Sequence, residues 1–438
     1  MTAQSTHLQG LVGRRLALVE SMLHDVFYDG IIRAVEAGVD VHLLIRDRDW
    51  YGDARAWQNH PLGRVARLSV VDTHSVEAVV AAVTDSAGRP LVDGITTFSD
   101  YHTEIAAQAA ERLGLPSPAA AAVRTANQKP LLRQLLDGLP YNVPHVLVTD
   151  ANQLADAATR LGYPLVAKPP AEAISHGVVL VNDEIDLRAA YAQLSGLLLS
   201  LRGQPRPGHV LLEKYIEGPE FSVESLTVGG VTGFYGVTAK KVGPPPGFLE
   251  TEHSFPAELD PGTVTAVLHT VGSVLTRLGY RQGPAHTEVR LSPDGPKVVE
   301  VNPRAPAGNL TTMLMDVCGR DLQLDAMLLA VGGRPPLPTG PEPGSGAAVV
   351  MLYPPGAAEV LDGIDGLPPA CTAGLRATVF ARPGDELWPR VDNGARVGLI
   401  YAMAADPATA LSRARAAARQ VTIRTRPRRP AATTAGIR

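Results

Sequence analysis

Residues 286–302 read HTEVRLSPDGPKVVEVN, and this stretch constrains the architecture of the chain more than any other. The pair Asp294-Gly295 is a strong signal for the turn of a β-hairpin. When the strands fold back about that turn, Glu288 lies opposite Glu300. In the same register, His286 lies opposite Asn302. Side chains two apart on a strand share a face, so the sequence predicts that two carboxylates, an amide and an imidazole converge on one patch.

The facing carboxylates of this hairpin predict a cation site. Two like charges directly opposite each other across a β-ladder are destabilising, and a cation between them would remove that cost. Oxygen ligands with few protein charges suit Mg²⁺ that carries the phosphates of a nucleotide. The alternative is a solvated sheet face with scattered charges, because the assumed register could slip.

The composition is that of an ordinary globular chain. Its 438 residues are enough for about two to four domains. Apolar residues make up 45% and charged residues 19% of the sequence, as is usual for soluble proteins. The net charge of −4 gives no reason to expect nucleic acid or an anionic membrane as the main partner.

The cysteine content and the apolar runs bear on the compartment. Two isolated cysteines, Cys318 and Cys371, form neither a disulfide framework nor a zinc site and fit a reducing cytoplasm. The segment Met1 to Gly13 is polar and has no apolar signal core. No apolar run approaches the ~20 residues that span a membrane. We therefore expect a cytoplasmic protein.

The first part of the chain, residues 14–115, alternates between predicted strands and helices. This alternation favours a parallel sheet covered by helices. Ligands of such sheets lie beyond the carboxyl ends of the strands, which makes Glu20-Ser21 and Ser99-Asp100 candidates for the lip of a site. The alternative, that they are ordinary loop residues, stays open.

The remaining sequence predicts further strands, helices and linkers. The predictions that matter below are a strand at Tyr141–Val148, a helix at Glu184–Leu201, a surface loop at Gly243–Gly247, a Pro/Gly linker at Gly332–Gly346, a strand-rich piece at 347–423 and a disordered basic tail from Arg424 to Arg438.

Several residues in the middle of the chain suit the binding of phosphate. Lys168 ends an apolar strand and would hold a phosphate as a point charge in a cleft. Backbone N–H groups of the small loop Ser175-His176-Gly177 could wrap phosphate oxygens, although a plain turn is an equal alternative. Lys129 precedes a helix, and the alternative for it is a solvated surface lysine.

The stretch Glu213-Lys214-Tyr215-Ile216-Glu217-Gly218-Pro219-Glu220 joins two predicted strands through a charged, turn-like segment. Backbone groups of such a segment can meet a purine edge, and a carboxylate such as Glu220 can accept from both ribose hydroxyls. The alternative is a hinge with two solvated glutamates. Further on, Arg304 lies two residues beyond Asn302, and its planar fork matches a carboxylate or a phosphoryl oxygen.

The order of these features resembles the ATP-grasp superfamily and, within it, the carboxylate–amine ligases that include the L-amino-acid ligases. The resemblance runs from about residue 14 to 423, and its most specific pieces are residues 213–224, reading EKYIEGPEFSVE, and residues 299–304, reading VEVNPR. Residues 162–169, reading GYPLVAKP, are similar to the second-lysine strand of the family.

The resemblance implies an α/β ATP-grasp fold. It implies a Rossmann-like pre-ATP-grasp domain at 1–118, a mobile lid subdomain at 119–208 with 135–208 as the moving part, and a large subdomain at 209–423 that includes the strand-rich C-terminal subdomain 347–423. The tail 424–438 would follow as disordered chain.

The resemblance also implies roles for individual residues. ATP phosphates would meet Lys129 and Lys168, with Ser175, His176 and Gly177 in a mobile loop over the γ-phosphate. Adenine would be held by Glu213, Lys214, Tyr215 and Ile216, and the ribose by Glu220. One or two Mg²⁺ ions, with Mn²⁺ as an alternative, would be bound by Glu288, Glu300 and Asn302. Arg304 would hold an acyl phosphate.

Two segments depart from the family pattern. Many relatives have a longer Gly/Ser run in the phosphate loop, whereas this chain has AEAISHG at 171–177, so His176 could instead face a substrate. After Arg304 many relatives have several glycines, whereas residues 305–309 read APAGN.

Residues 249–256, reading LETEHSFP, look like a substrate-side loop of amino-acid ligases, in which His253 could orient or deprotonate the amine. An exposed loop histidine is the alternative.

These expectations imply an ATP- and Mg²⁺-dependent ligase that joins a small acid to an amine through an acyl phosphate. Its partners would be small molecules, and dimers are common in the family, which leaves a homodimer open. The alternatives are a carboxylating enzyme of the biotin or purine type and a non-catalytic ATP-binding regulatory protein. No biotin-carrier segment is evident, and the intact set of Glu288, Glu300, Asn302 and Arg304 weighs against the regulatory alternative.

Overall fold

The computed structural model describes residues 9–20, 28–51, 61–243, 248–307, 309–356, 359–369, 372–387 and 391–427. Predicted features that fall partly or wholly outside these ranges include the polar N-terminus up to Leu8, Ser21 of the lip candidates, residues 244–247 of the surface loop and residues 428–438 of the tail.

Helices and strands alternate along much of the described chain. The α-helices are α1 Tyr28–Glu36, α2 Val76–Ala82, α3 Thr103–Arg112, α4 Ala120–Asn127, α5 Lys129–Leu135, α6 Leu154–Leu161, α7 Glu184–Ser195, α8 Pro261–Arg277, α9 Leu310–Cys318, α10 Leu322–Ala330 and α11 Pro407–Ala418. The strands are β1 Arg15–Val19, β2 Asp40–Ile45, β3 Arg67–Val70, β4 Gly94–Thr96, β5 His145–Val148, β6 Leu165–Lys168, β7 Val179–Val181, β8 Val210–Lys214, β9 Glu220–Val228, β10 Val231–Val242, β11 Glu250–Phe255, β12 Gly283–Ser292, β13 Gly295–Asn302, β14 Gly346–Leu352, β15 Glu359–Asp365, β16 Leu375–Val379, β17 Gly398–Ala404 and β18 Thr422–Pro427.

The N-terminal part forms the predicted parallel sheet. Its strand order is β3-β2-β1-β4, and every pair is parallel. β1 and β2 are almost entirely buried, as expected when helices cover both faces of a parallel sheet. β4 approaches α10 so closely that a Cβ on Gly94 would lie 2.1 Å from the Ala330 carbonyl oxygen. This contact packs the N-terminal sheet against the C-terminal half of the chain.

A four-stranded antiparallel sheet, ordered β5-β8-β6-β7, lies in the middle of the chain. One face of this sheet packs against α6 and α7 in a hydrophobic core that includes Leu165 of β6 and Leu187 of α7. Two predicted limits were wrong. The strand expected at Tyr141–Val148 begins at His145, after Pro144, which cannot donate to a ladder. The helix expected to end at Leu201 ends at Ser195, because the chain reverses through a bridge between Leu199 and Pro205.

An eight-stranded antiparallel sheet, ordered β13-β12-β9-β10-β11-β14-β17-β16, forms the centre of the molecule. The β12–β13 hairpin turns at Gly295, whose φ is +101°, and has the predicted register: Glu288 pairs with Glu300, and His286 pairs with Asn302. A bulge follows Glu288. The predicted substrate-side loop is instead strand β11 from Glu250 to Phe255, because it is hydrogen-bonded on both sides by β10 and β14.

The C-terminal piece is strand-rich, as predicted. β14, β17 and β16 extend the large sheet, and β15 pairs with β18. The prediction that disorder begins at Arg424 was wrong for residues 424–427, since they form most of β18 and Arg424 is paired with Asp365, with 2.5 Å between Nε and Oδ2. Among the helices in the described ranges, none is both long and apolar enough to cross a bilayer.

Candidate functional site

A cleft between the β5–β8 sheet and the eight-stranded sheet brings together residues predicted from six separate stretches of sequence. The cleft contains about 1230 Å³ of empty space, part of which is open to solvent. The predicted residues that line it are Lys129, Lys168, Ser175, Glu213, Lys214, Tyr215, Ile216, Glu220, His253, Glu288, Glu300, Asn302 and Arg304. His176 and Gly177 were also predicted for the site, but they are not among its lining residues.

The hairpin carboxylate Glu300 is bound by a lysine from the start of α5. Lys129 Nζ lies 3.0 Å from Glu300 Oε2, and it also donates to the Glu172 carbonyl oxygen at 3.0 Å. The side-chain amide of Asn302 donates to Glu300 Oε1 at 2.9 Å. Burial alone would lower the pKa of Lys129, but Glu300, with smaller contributions from Glu213 and Glu288, outweighs it and raises that pKa. The lysine is therefore a fixed positive charge facing the cleft.

Lys240 on β10 lies among three carboxylates of the cleft and offsets their negative charge. The sequence analysis did not single it out. Its Nζ lies 2.6 Å from Glu250 Oε1 and 3.3 Å from Glu220 Oε1, and it contacts Glu288. Burial would lower the pKa of Lys240, but these three carboxylates outweigh it and hold that pKa well above its ordinary value. The register pairs Lys240 directly with Glu220, so a correct alignment of β9 with β10 would have found this residue.

Two sets of oxygen donors near the hairpin are candidates for binding a divalent cation, and one set already surrounds a lysine ammonium. Glu220, Glu250 and Glu288 offer oxygens within 4.8 Å of one another, but the ammonium of Lys240 already lies among them. The predicted set of Glu288, Glu300 and Asn302 offers two carboxylates and an amide, which are donors that Mg²⁺ accepts. A cation bound there would share its carboxylates with Lys129 and Lys240.

Lys168 lies at the end of β6 in a buried ion cluster with Glu213. Its Nζ is 2.6 Å from Glu213 Oε2, and Arg133 Nε is 2.7 Å from Glu213 Oε1. Burial would raise the pKa of Glu213, but the two cations outweigh it and lower that pKa to about 2. Burial is also the largest cause of a lowered pKa for Lys168. The side chain of Glu213 is therefore engaged in holding two cations.

In the predicted purine segment, residues 213–216, the backbone and the side chains of Tyr215 and Ile216 face the cleft, whereas the charged side chains bind other protein groups. The Lys214 ammonium donates to the carbonyls of Gly162 and Tyr163, at 3.0 and 3.1 Å, so this side chain is committed elsewhere. Arg290, which the sequence analysis did not single out, donates to the Ile216 carbonyl at 2.9 Å and pairs with Glu220 at 3.1 Å between Nε and Oε2.

Aromatic rings complete this end of the cleft. The Arg290 guanidinium lies 5.3 Å from the ring centroid of Tyr215 and 6.0 Å from that of Phe248. The two rings are 6.5 Å apart. Because pockets for planar ligands combine aromatic walls with a few fixed polar groups, this end of the cleft suits a flat heterocycle.

The predicted phosphate loop, residues 171–177, is bound by residues from the C-terminal piece. Ile174 and Ser175 have φ values of +54° and +60°, which are rare for residues other than glycine. The His176 side chain binds the C-terminal piece, and the assignment of residues 175–177 to a loop over the γ-phosphate stays a prediction. His176 Nδ1 lies 2.7 Å from Asp392 Oδ2, and this bond, more than the opposing effect of burial, raises the pKa of His176.

Arg304 lies where the hairpin leads into α9, as expected from its position two residues beyond Asn302. Its guanidinium contacts Asp100, one of the predicted lip residues at the end of β4, and donates to the Ala305 carbonyl at 2.7 Å. Although the side chain is largely buried, it lines the cleft. The planar guanidinium of Arg304 thus lies between the N-terminal sheet and the β12–β13 hairpin that carries Glu288 and Glu300.

His253 is buried on β11, so the alternative of an exposed loop histidine was wrong. Only 2% of the residue is exposed, and its Nε2 lies 3.2 Å from Glu250 Oε2, although neither ring nitrogen has an aligned hydrogen-bond partner. Burial is the largest cause of its lowered pKa. Arg396, also missed from the sequence, pairs with Glu250 at 2.6 Å. A neutral imidazole therefore faces the cleft beside a carboxylate bound by two cations.

Three protein-family models match the chain. They are the ATP-grasp N-terminal domain at residues 14–117, the ATP-grasp domain at 161–313 and the L-amino acid ligase C-terminal domain 2 at 350–426. These matches make the chain an ATP-grasp protein. Within that superfamily it is L-amino-acid-ligase-like, as its C-terminal match indicates, and the predicted family and fold class are confirmed. The predicted domain limits stay predictions.

Similar proteins include two curated relatives and one solved structure. Carnosine synthase 1 from Gallus gallus is 30% identical over 333 residues, which are 73% of this chain and 35% of that protein. Alanine–anticapsin ligase from Bacillus subtilis is 25% identical over 282 residues, which are 60% and 59% of the two chains. The chain thus spans about a third and about three fifths of these relatives.

The L-amino acid ligase from Bacillus licheniformis gives a TM-score of 0.77 with 23% identity and covers 95% of this chain and 99% of that one. This likeness supports the fold that the sequence predicts.

Proposed function

We propose that this protein is an ATP-dependent carboxylate–amine ligase that forms an amide bond through an acyl phosphate and releases ADP and phosphate. One observation carries the proposal. The facing carboxylates Glu288 and Glu300 lie in one cleft with Lys129, Lys168 and the buried guanidinium of Arg304. Phosphoryl transfer depends on positioned charge more than on covalent help from the protein, and this cleft supplies charge of both signs at fixed positions.

The nucleotide would lie along the β8–β9 side of the cleft. The base would pack against Tyr215 and Phe248 and meet the backbone of residues 213–216, while Glu220 would accept from the ribose hydroxyls. Lys129 and Lys168 would then lie beside the phosphates. Burial is the largest cause of the lowered pKa of Lys168, whereas neighbouring carboxylates outweigh burial and raise the pKa of Lys129.

The acid would bind at the Arg304 end. The carboxylate oxygen attacks the γ-phosphorus of ATP, the bond from that phosphorus to the bridging β–γ oxygen breaks, and ADP leaves. Arg304 can hold the anionic oxygens of the acid in a planar, bidentate fashion. Glu288, Glu300 and Asn302 would hold Mg²⁺, or Mn²⁺ in its place, which when bound neutralises phosphate charge.

The amine would enter near His253. Its nitrogen attacks the acyl carbon, the bond from that carbon to the phosphate oxygen breaks, and the nitrogen loses a proton. The imidazole of His253 is buried and has a lowered pKa, so it is neutral at pH 7, and Glu250 lies 3.2 Å from its Nε2. We propose that His253 accepts that proton or orients the amine.

The substrates we propose are small molecules, an amino acid or a similar acid and an amine. The relatives named as a carnosine synthase, an alanine–anticapsin ligase and an L-amino acid ligase support this class. So does the C-terminal match at residues 350–426, which weighs against a carboxylating enzyme of the biotin or purine type. A homodimer stays a prediction.

The proposal is tested by measuring ADP release with Mg²⁺ and ATP across a matrix of amino acids taken singly and in pairs, with mass spectrometry of the products. We expect ADP release that requires both an acid and an amine, together with a product lighter than the two substrates by one water. Release that depends on bicarbonate instead would favour the carboxylating alternative. Nucleotide binding without release in any mixture would favour the regulatory one.

A further inference from the structure

The phosphate loop is held by a turn that lies more than 200 residues further along the chain. This turn, Asp392 to Ala395, is a single turn of 3₁₀-helix begun by Asp392, whose Oδ1 accepts from the Gly394 N–H at 2.8 Å. We call residues 392–395 the latch turn. Asp392 and Asn393 are both buried, with 1% and 7% exposure, so their polar groups need partners within the protein.

Three contacts join the latch turn to the phosphate loop. The Asn393 N–H donates to the Ile174 carbonyl at 3.1 Å, and the Asn393 side-chain amide donates to Ser175 Oγ at 3.3 Å. Asp392 binds His176. The loop residues that receive these bonds include the two with left-handed backbone angles, Ile174 and Ser175. Since such a backbone is unfavourable for a branched side chain, outside contacts are needed to hold it.

The latch turn also reaches the substrate side of the cleft. Asn393 Oδ1 accepts from the Glu250 N–H at 2.9 Å and from the Tyr353 hydroxyl at 3.1 Å. Glu250 is the carboxylate that faces Lys240, His253 and Arg396. One asparagine side chain therefore bonds to the loop over the phosphates through its nitrogen and to the amine side through its oxygen.

We propose that Asn393 and Asp392 are positioning residues that hold the phosphate loop closed and set it relative to β11. This inference rests on the proposed function for its catalytic consequence. Closing a site over an acyl phosphate protects that intermediate from water. When the latch is weakened, water attacks the acyl carbon in place of the amine, the acid is regenerated, and phosphate leaves. ATP is then consumed without amide formation.

The first test is hydrogen exchange in the full chain without ligand, which does not depend on any reaction. In Asn393→Ala we expect amides in residues 171–178 to exchange about fivefold faster, the factor that one ordinary hydrogen bond contributes. Amides of α8 should be unchanged, and the exposed Asn152→Ala should match the wild type throughout. Unchanged exchange in 171–178 would overturn the proposal.

A second variant covers the case in which Asn393→Ala loosens the whole chain. Asp392→Asn keeps an oxygen to accept from the Gly394 N–H and replaces the charged oxygen that faces His176 Nδ1 with an amide nitrogen. We expect exchange to rise in the same residues, 171–178, but by less than in Asn393→Ala. If exchange rises equally in α8, the contacts are merely structural and the latch is refuted.

The catalytic consequence has its own readout, the ratio of ADP to amide product. We expect this ratio to rise about fivefold in Asn393→Ala, whereas a merely structural defect lowers ADP and amide together and leaves the ratio at the wild-type value. If the wild type makes no amide, the proposed function fails, while the exchange experiment still decides whether the latch turn holds the loop.

Discussion

Lys129 and Glu300 form an ion pair in the cleft, with 3.0 Å between Nζ and Oε2. The lysine comes from the start of a helix and the glutamate from the carboxylate hairpin, 171 residues later in the numbering. The pair therefore joins the proposed phosphate side of the cleft to the proposed cation site. Its existence means that neither residue is a solvated surface charge, which was the alternative for both.

Glu300→Gln should remove most turnover and leave the fold intact. The substitution deletes one charge from the proposed cation site and keeps the shape of the side chain. Because the loss of an outer partner of a metal site already costs 10–100-fold, we expect acid-dependent ADP release to fall by about 100-fold or more. The measurement is steady-state ADP release at saturating ATP, with circular dichroism to confirm folding. The exposed Glu258→Gln is the control, and near-normal ADP formation by Glu300→Gln would contradict the assignment.

Arg304→Lys should be severe although the charge is kept. A lysine offers a point charge and cannot reproduce a bidentate contact, and removal of one donor to a developing anion costs about 100-fold in kcat. We expect kcat to fall by about that factor while the KM for ATP stays close to the wild-type value. The exposed Arg160→Lys serves as the matched control. An Arg304→Lys variant with normal kcat would place the acid elsewhere.

Glu213→Gln should destabilise the protein. It leaves Arg133 and Lys168 without a buried anion, which costs about 3–5 kcal/mol in free energy of unfolding. The pKa of Glu213 is lowered to about 2 from an ordinary value of 4.5, so its contribution is present above pH 4.5 and is lost as the pH falls towards 2. Urea unfolding at pH 7 and at pH 3 measures both effects. A destabilisation of equal size at the two pH values would disagree with the ion cluster.

His253→Gln should slow the transfer to the amine. Burial, more than any neighbour, lowers the pKa of His253, so the imidazole is neutral and able to accept a proton at pH 7. In the wild type, kcat/KM for the amine, expressed per unprotonated amine, should be level above pH 6.5 and decline as acidification protonates this group. A general base contributes about 100-fold or more, and the variant should lose that factor together with the acid limb. An unchanged acid limb in His253→Gln would show that another group is responsible.

Local signals predicted the centre of the site. Asp294-Gly295 fixes the hairpin turn, and the turn fixes which residues face each other, so Glu288 and Glu300 were placed correctly. The parallel N-terminal sheet followed from the alternation of strands and helices. Both are properties of short stretches of chain, in which the periodicity of side chains determines the face that they occupy.

The other members of the site depend on long-range pairing. Lys240 reaches Glu250 because β10 and β11 are neighbours, and Arg396 lies just before β17, which is separated from β11 only by β14. No local pattern specifies that order. His253 looked like a loop residue for the same reason. The contact of His176 with Asp392 in the C-terminal piece is likewise not revealed by the sequence of the loop.

The measurement that tests the acyl-phosphate ligase most directly follows the oxygen atoms of the acid. An acid identified by the substrate matrix is labelled with ¹⁸O in its carboxylate and incubated with ATP, Mg²⁺ and the amine, and the released phosphate is examined by mass spectrometry. Because a carboxylate oxygen attacks the γ-phosphorus and leaves with it, we predict one ¹⁸O in each phosphate formed with an amide. Amide formation with unlabelled phosphate would contradict the account.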